Sequence, residues 1–322
     1  MGSAIGQIVI GPKNSGKGAL IGGIAGTIPD LDVIPLIGTS VITQLTYHRS
    51  ITHSLLFCIT MSLIFAAICR YWMKGSITLN RWVLFWGLAF LTHIGLDLMT
   101  TWGTQILWPN TSRFSLNSLF IIDPLVTLPL LVGCCWSTLK RQSKPALIGV
   151  ICLVFYSMFA LSTHYYMNNK FMMALNHSNI GVKSLLVRPT PFNTLYWGMT
   201  ARLPNNTLVM GYARIWDPYQ SITFSKPSDQ GKYLLGDLIK RKDIEQLLSI
   251  TKGYYIIKKN KDKIIIQDAR FGRIGGWIRG SNDQFIFNYV LDIEKNQWSQ
   301  YRPEIPDSFG LIKVLFRRII TS

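Results

Sequence analysis

Residues 82–100 read WVLFWGLAFLTHIGLDLMT. At about 1.5 Å per helical residue, an apolar stretch of this length crosses a bilayer as one helix. His93 and Asp97 interrupt it at i, i+4 spacing, so both project from one helix face. An ionised carboxylate in such surroundings is costly unless it is paired, protonated or bound to a cation. The pair can ligate one metal, or the Asp can orient the imidazole. A His–Asp hydrogen bond locking two helices together accounts for the same spacing equally well.

Three more stretches, 54–72, 119–138 and 146–166, are long and apolar enough to span. A fifth, 18–37, is Gly-rich and carries Pro29 and Pro35, so it reads as a broken or re-entrant membrane segment. No cleaved signal peptide is evident at the start. The composition changes near residue 168. Before it stand ten Lys/Arg and only four acids, Asp30, Asp32, Asp97 and Asp123; from 170 onward there are 23 Lys/Arg against 12 Asp/Glu. The expected architecture is a mainly α-helical integral membrane domain over 1–168, followed by a small α+β soluble domain over 169–322. All five cysteines lie in the apolar half without paired CxxC motifs and read as small buried apolar residues.

Basic residues mark cytoplasmic loops. Arg70, Lys74 and Arg81 follow the first long span, and Lys140, Arg141 and Lys144 follow the third, whereas 101–118 holds only Arg113. Both basic loops belong inside, the 101–118 loop outside, and the C-terminal domain in the periplasm or an equivalent space. Counted from each cytoplasmic anchor, Asp30, Asp32, His53, His93, Asp97 and Asp123 all rise about 18–25 Å. Separate segments thus bring their polar residues to one level in the outer half of the bilayer.

Residues 48–54, HRSITHS, combine two imidazoles with Arg49, whose rigid fork suits a phosphate or carboxylate. Thr52 or Ser54 can cap the helix that follows. The plain alternative is a polar helix entry with a snorkelling Arg. Asp30 and Asp32 converge only if the chain turns there, and a cation or proton must then separate them; an Asx-turn after Pro29 needs only one of the two. Gly11–Gly18, GPKNSGKG, nearly matches a phosphate-cradling loop but has Gly18 where the magnesium-binding hydroxyl belongs, and it reads as a cytoplasmic turn. Asp123 and Arg113 are candidate site residues on the outer face. Trp102 and Trp108 read as interfacial anchors.

PDLD, HRSITHSLLF, HIGLDLMTTWGTQILWP and FIIDP, in that order over the first 140 residues, resemble the YdjM-like membrane-bound metal-dependent hydrolases, some members of which are described as LexA-binding and inner-membrane-associated. Residues 191–197, PFNTLYW, resemble a segment that often follows. The resemblance implies an inner-membrane, multi-pass protein with metal ligation through Asp30, Asp32, His48, His53, His93 and Asp97. Members commonly carry a Glu before the Gly-rich stretch; this chain has none there.

The second half alternates in the β period at 184–188, 193–202, 206–217, 253–260, 263–270 and 284–293, with one helical stretch at 232–250. That suggests one sheet and a helix. Lys258–Lys263 reads as a basic hairpin tip. The overall charge of +17 raises nucleic acid as a partner, and the membrane half with its outward topology argues against it.

The residues together point to a hydrolase that cleaves a phosphoester or other ester of a lipid or amphiphile by a metal-activated water. Zinc suits the His/Asp mix best, with manganese or iron as alternatives. Arg49 and Asp123 are the catalytic candidates, and Arg49, Ser54 and Arg113 the substrate-binding ones. Two other readings stand beside this one: a phospho-histidine lipid phosphatase, whose further motifs are missing, and a transporter or scaffold using the His/Asp cluster for cations or protons, for which no internal repeat is found. The oligomeric state stays open.

Overall fold

The computed structural model describes residues 1–11, 15–73, 77–225, 228–278, 284–305 and 307–320. Lys13 of the glycine-rich turn and the anchor Lys74 lie outside them. The chain divides into two compact units, residues 1–37 with 46–161 and residues 38–45 with 162–322.

The first unit is helical. α1 (Gly2–Ile10) lies against α2 (Ser15–Thr27). The glycines explain how closely: a methyl group on Gly6 would overlap the carbonyl of Gly18, and one on Gly22 the carbonyl of Gly2. Small residues spaced by four let two helices touch backbone to backbone where lipid offers no hydrophobic drive to bring them together. At Ile28 the helix tightens into a 3-10 segment, Ile28–Leu36, with Pro29 in its first turn and Pro35 inside. The missing N–H groups of the two prolines disfavour a continued α-helix.

α3 (Val41–Tyr47) and a 3-10 turn (Ile51–His53) lead to α4 (Leu55–Trp72), capped by Ser54, whose hydroxyl accepts from Phe57 N–H at 3.1 Å. α5 (Leu79–Met99) packs on α4 through Cys58, Ala66, Trp82, Phe85, Trp86, Ala89 and Phe90, with Phe65 stacked on Trp86 at 4.8 Å. α6 (Pro124–Lys140) and α7 (Lys144–His177) follow. Among the described residues, four helical segments are long and apolar enough to cross a membrane: Ser15–Leu36, Leu55–Trp72, Leu79–Met99 and Lys144–His177. The span expected at 119–138 starts later than the sequence suggests. Its helix begins only at Pro124 and has 17 residues, because Asp123 and Pro124 form an N-cap and first-turn pair.

Among its described residues the second unit holds two antiparallel four-stranded sheets where one was expected. β1 (Ser184–Pro189), β2 (Tyr196–Arg202), β3 (Thr207–Arg214) and β4 (Ser228–Asp229) form the first in that order. β5 (Tyr255–Asn260), β6 (Lys263–Asp268), β7 (Asn288–Asp292) and β8 (Gln297–Tyr301) form the second. The basic hairpin at 258–263 is the β5–β6 turn, with Lys261 in the left-handed region.

α7 outruns its expected 146–166 because its last turns leave the apolar window and bury Met167, Phe171 and Leu175 against Trp197, Met199 and Val209 of the first sheet. The helix expected at 232–250 is divided at Arg241, whose backbone is extended, into a 3-10 segment (Lys232–Lys240), itself kinked at Gly236, and α8 (Lys242–Ile250). A terminal helix, α9 (Ser308–Ile320), completes the unit.

Candidate metal centre

Three separate segments of the first unit deliver the polar residues. Asp30 and Asp32 come from the 3-10 segment, His48 to His53 from the loop and turn before α4, and His93 and Asp97 from one face of α5. Residues two apart on a 3-10 helix point about 120° from each other, so the two aspartates separate their duties.

Asp30 joins His53, His93 and Asp97; one ligand atom from each of the four lies within 4.8 Å of the others. His53 Nε2 stands 3.3 Å from Asp30 Oδ1 and 3.2 Å from Asp97 Oδ2. His93 Nε2 stands 3.5 Å from Asp30 Oδ1 and 3.6 Å from Asp97 Oδ2, and the two imidazole Nε2 atoms are 3.2 Å apart.

Asp32 turns the other way. Its Oδ1 meets His48 Nδ1 at 2.9 Å, and its Oδ2 accepts from Arg49 N–H at 2.9 Å and from the Thr52 hydroxyl at 3.1 Å. Thr52 thereby spends its proton on Asp32, and its oxygen accepts from His53 Nδ1–H at 3.0 Å. That bond fixes the His53 tautomer: the proton sits on Nδ1, and Nε2 turns a lone pair toward the group of four.

Arg49 is buried with a left-handed backbone (φ 59°), held by its N–H on Asp32 and its carbonyl on Gln105 N–H. Its guanidinium reaches Asp97 Oδ1 at 3.0 Å and Thr100 Oγ1 at 3.1 Å, so it clamps one face of Asp97. The other carboxylate atom, Asp97 Oδ2, is buried and has no hydrogen-bond donor among the described residues, although His53 Nε2 is close.

The donor set fits a divalent cation. Ligands about 2.0–2.2 Å from a tetrahedral zinc stand about 3.3–3.5 Å from one another, and the His–Asp separations above bracket that range. Three carboxylates face a single guanidinium, so a 2+ charge balances the site. The orphaned buried oxygen of Asp97 is a donor that such a cation would use.

The remaining expected residues have other contacts. Asp123 caps α6, its Oδ1 accepting from Leu125 N–H at 2.9 Å and its Oδ2 from the Tyr156 hydroxyl at 2.7 Å; it is not one of the four. Arg113 donates to the carbonyls of Thr46, His48 and Gly103 and braces the HRSITH loop from outside. Ser54 serves as the α4 cap. His48 presents its Nδ1 to Asp32 and stays outside the group of four. The sequence reading missed Thr100 as a partner of Arg49 and the tautomer-setting use of Thr52. Thr52 carried a signal, being the residue directly before His53.

The model of the YdjM inner membrane protein family matches residues 1–168, which is the half of the chain that holds this centre. The chain belongs to that family. It is also 32% identical over 111 residues to the inner membrane protein YbcI of Escherichia coli (strain K12), a match that covers 34% of this chain and 61% of YbcI. The chain thus spans about three fifths of that curated relative. No solved structure matches it.

Proposed function

We propose that the protein is an integral-membrane, metal-dependent hydrolase acting on a phosphoester or other ester of a lipid or amphiphile. The observation that carries this reading is the group of Asp30, His53, His93 and Asp97 with its unpartnered Asp97 Oδ2. These four would hold the ion, with zinc first by donor type and manganese or iron as alternatives. A divalent ion bound there supplies Lewis acidity and lowers the pKa of a water molecule.

The chain's own residues do the rest. Thr52, backed by Asp32, keeps the His53 Nε2 lone pair turned inward. Arg49 holds Asp97 in place and sets a positive charge beside the reacting centre, where phosphoester anions are best accommodated. His48, oriented by Asp32 and partly exposed, flanks the site with its ring 6.0 Å from that of His53.

The preference for amphiphiles comes from the open side of the group. Asp30 is the most exposed of the four ligands at 47%, and its neighbours Leu31, Val33, Ile34 and Ile37 are exposed and apolar, as a lipid-facing entrance requires. The basic residues that flank the spans support a periplasmic side for the C-terminal domain.

The test is hydrolysis by the full-length protein in nanodiscs, assayed on phosphatidic acid, phosphatidylglycerol and a soluble aryl phosphate. Metal-dependent product release, lost on chelation and in Asp97→Ala, is expected. A metal-loaded protein that cleaves none of these while conducting ions or protons in vesicles would move it to the transporter class.

A further inference from the structure

α9 carries two separate apolar stripes. Asp307 caps it, accepting from Gly310 N–H at 2.7 Å, and Leu315 and Ile319 bury against Tyr196, Tyr212 and Trp277 of the C-terminal unit. That face is used. At 100° per residue, Phe309, Phe316 and Ile320 fall on a second stripe, with Lys313 on the same line and Arg317 beside it. Phe309 is 78% exposed, Phe316 40% and Ile320 79%, so the stripe is not spent on this unit's core.

We infer that this outer face of α9 lies in an anionic lipid surface as an interfacial helix. Three observations choose lipid over a protein partner. Lys313 and Arg317 are interleaved with the aromatic and aliphatic residues of this stripe, the pattern by which an in-plane helix combines apolar insertion with headgroup attraction. The aromatics are phenylalanines, which sink into the acyl boundary without a polar tip to satisfy. And α7 combines an apolar window of bilayer length with the buried Met167, Phe171 and Leu175 of this domain's core, so the domain's own first helix is of the kind that enters lipid.

The inference predicts where α9 sits. In a full-length chain whose five cysteines are replaced, spin labels are placed at Phe316→Cys and Ile320→Cys, with Asp237→Cys, on an almost fully exposed side chain, as the aqueous reference. The protein is reconstituted in phosphatidylethanolamine–phosphatidylglycerol vesicles. Labels at 316 and 320 should collide with oxygen freely and be shielded from a nickel chelate on the order of tenfold relative to 237, with part of that shielding lost in purely zwitterionic vesicles. Chelate access at 316 and 320 equal to that at 237 would overturn the inference. So would shielding accompanied by dipolar broadening between labels on two chains, which would assign the stripe to a second copy.

Discussion

Two buried carboxylates, Asp97 in the membrane half and Asp268 in the second sheet, have opposite surroundings. Asp268 and Arg270 are both fully buried, and every acceptor of the one meets a donor of the other: Arg270 Nε at 3.0 and 3.1 Å, Nη2 at 2.7 Å and the backbone N–H at 3.0 Å. Asp97 meets Arg49 through one oxygen and is left open at the other, beside two imidazoles and the second acid of the group, Asp30. A closed pair holds a fold together. An open one, kept at the cost of desolvation, belongs to a site that binds something. Burial alone therefore does not separate structural from functional charge; the count of unspent lone pairs does.

The comparison breaks most visibly at the closed pair. Arg270→Ala leaves a buried charge without its partner and should cost about 3–5 kcal/mol, read by thermal unfolding of the C-terminal unit. Asp97→Asn, by contrast, should leave unfolding of the metal-free protein nearly unchanged while removing metal affinity. Equal destabilisation by the two substitutions would erase the distinction. Next comes the scaffold behind Asp30. Gly6→Ala drives a methyl group into the carbonyl of Gly18, and overpacking of this kind costs about 1–3 kcal/mol. It should also weaken metal binding without touching a ligand, as a titration of the detergent-purified variant would measure.

A sharper probe is Thr52→Val, which keeps the shape and removes the hydroxyl that fixes the His53 tautomer. Loss of such an outer partner lowers metal affinity about 10–100-fold, and Thr52→Ser should restore it.

The smallest effect lies at an outer pair. Arg241 donates two hydrogen bonds to Asp243, and with Trp298 holds its carboxyl at about 2, below the ordinary 3.8. A depressed folded-state value stabilises above the unfolded one and fades as pH falls, so the contribution is full above pH 3.8 and gone below about 2. Exposure to solvent limits it to about 1 kcal/mol or less. Asp243→Asn should unfold more easily than wild type at neutral pH, with the two curves merging in strong acid.

Much of the frame was legible because lipid imposes a plain rule. Spans 54–72 and 82–100 reappear as Leu55–Trp72 and Leu79–Met99, and the Gly/Pro segment as a helix that tightens at Ile28. The six alternating stretches correspond to six of the eight strands. α1 escaped because nine residues are too few to read as a span, and its packing signal is the glycine spacing at 2, 6, 18 and 22. β4, with two residues, is below the length at which alternation can be counted, and β8, QWSQY, is mostly polar and exposed. The division into two sheets follows from long-range pairing, which no local pattern encodes. α9 has the helical period, and the reading passed over it.

Depth counting placed Asp123 with the others because it measures height along a segment and says nothing of direction. The Asp-Pro pair was the better signal, since Asp at an N-cap and Pro at the next position start helices. Asp30 and Asp32 show the same limit. Which of them faces His53 and His93, and which holds Thr52 and His48, depends on a 3-10 twist that the sequence suggests only through its prolines.

The central claim is tested most directly by counting metal ions per chain in the full-length, detergent-purified protein, wild type beside His53→Ala and Asp97→Ala. The account predicts stoichiometric metal in the wild type and its loss in both variants, each retaining wild-type helical content. A wild type that stays metal-free after incubation with zinc, manganese and iron would contradict it.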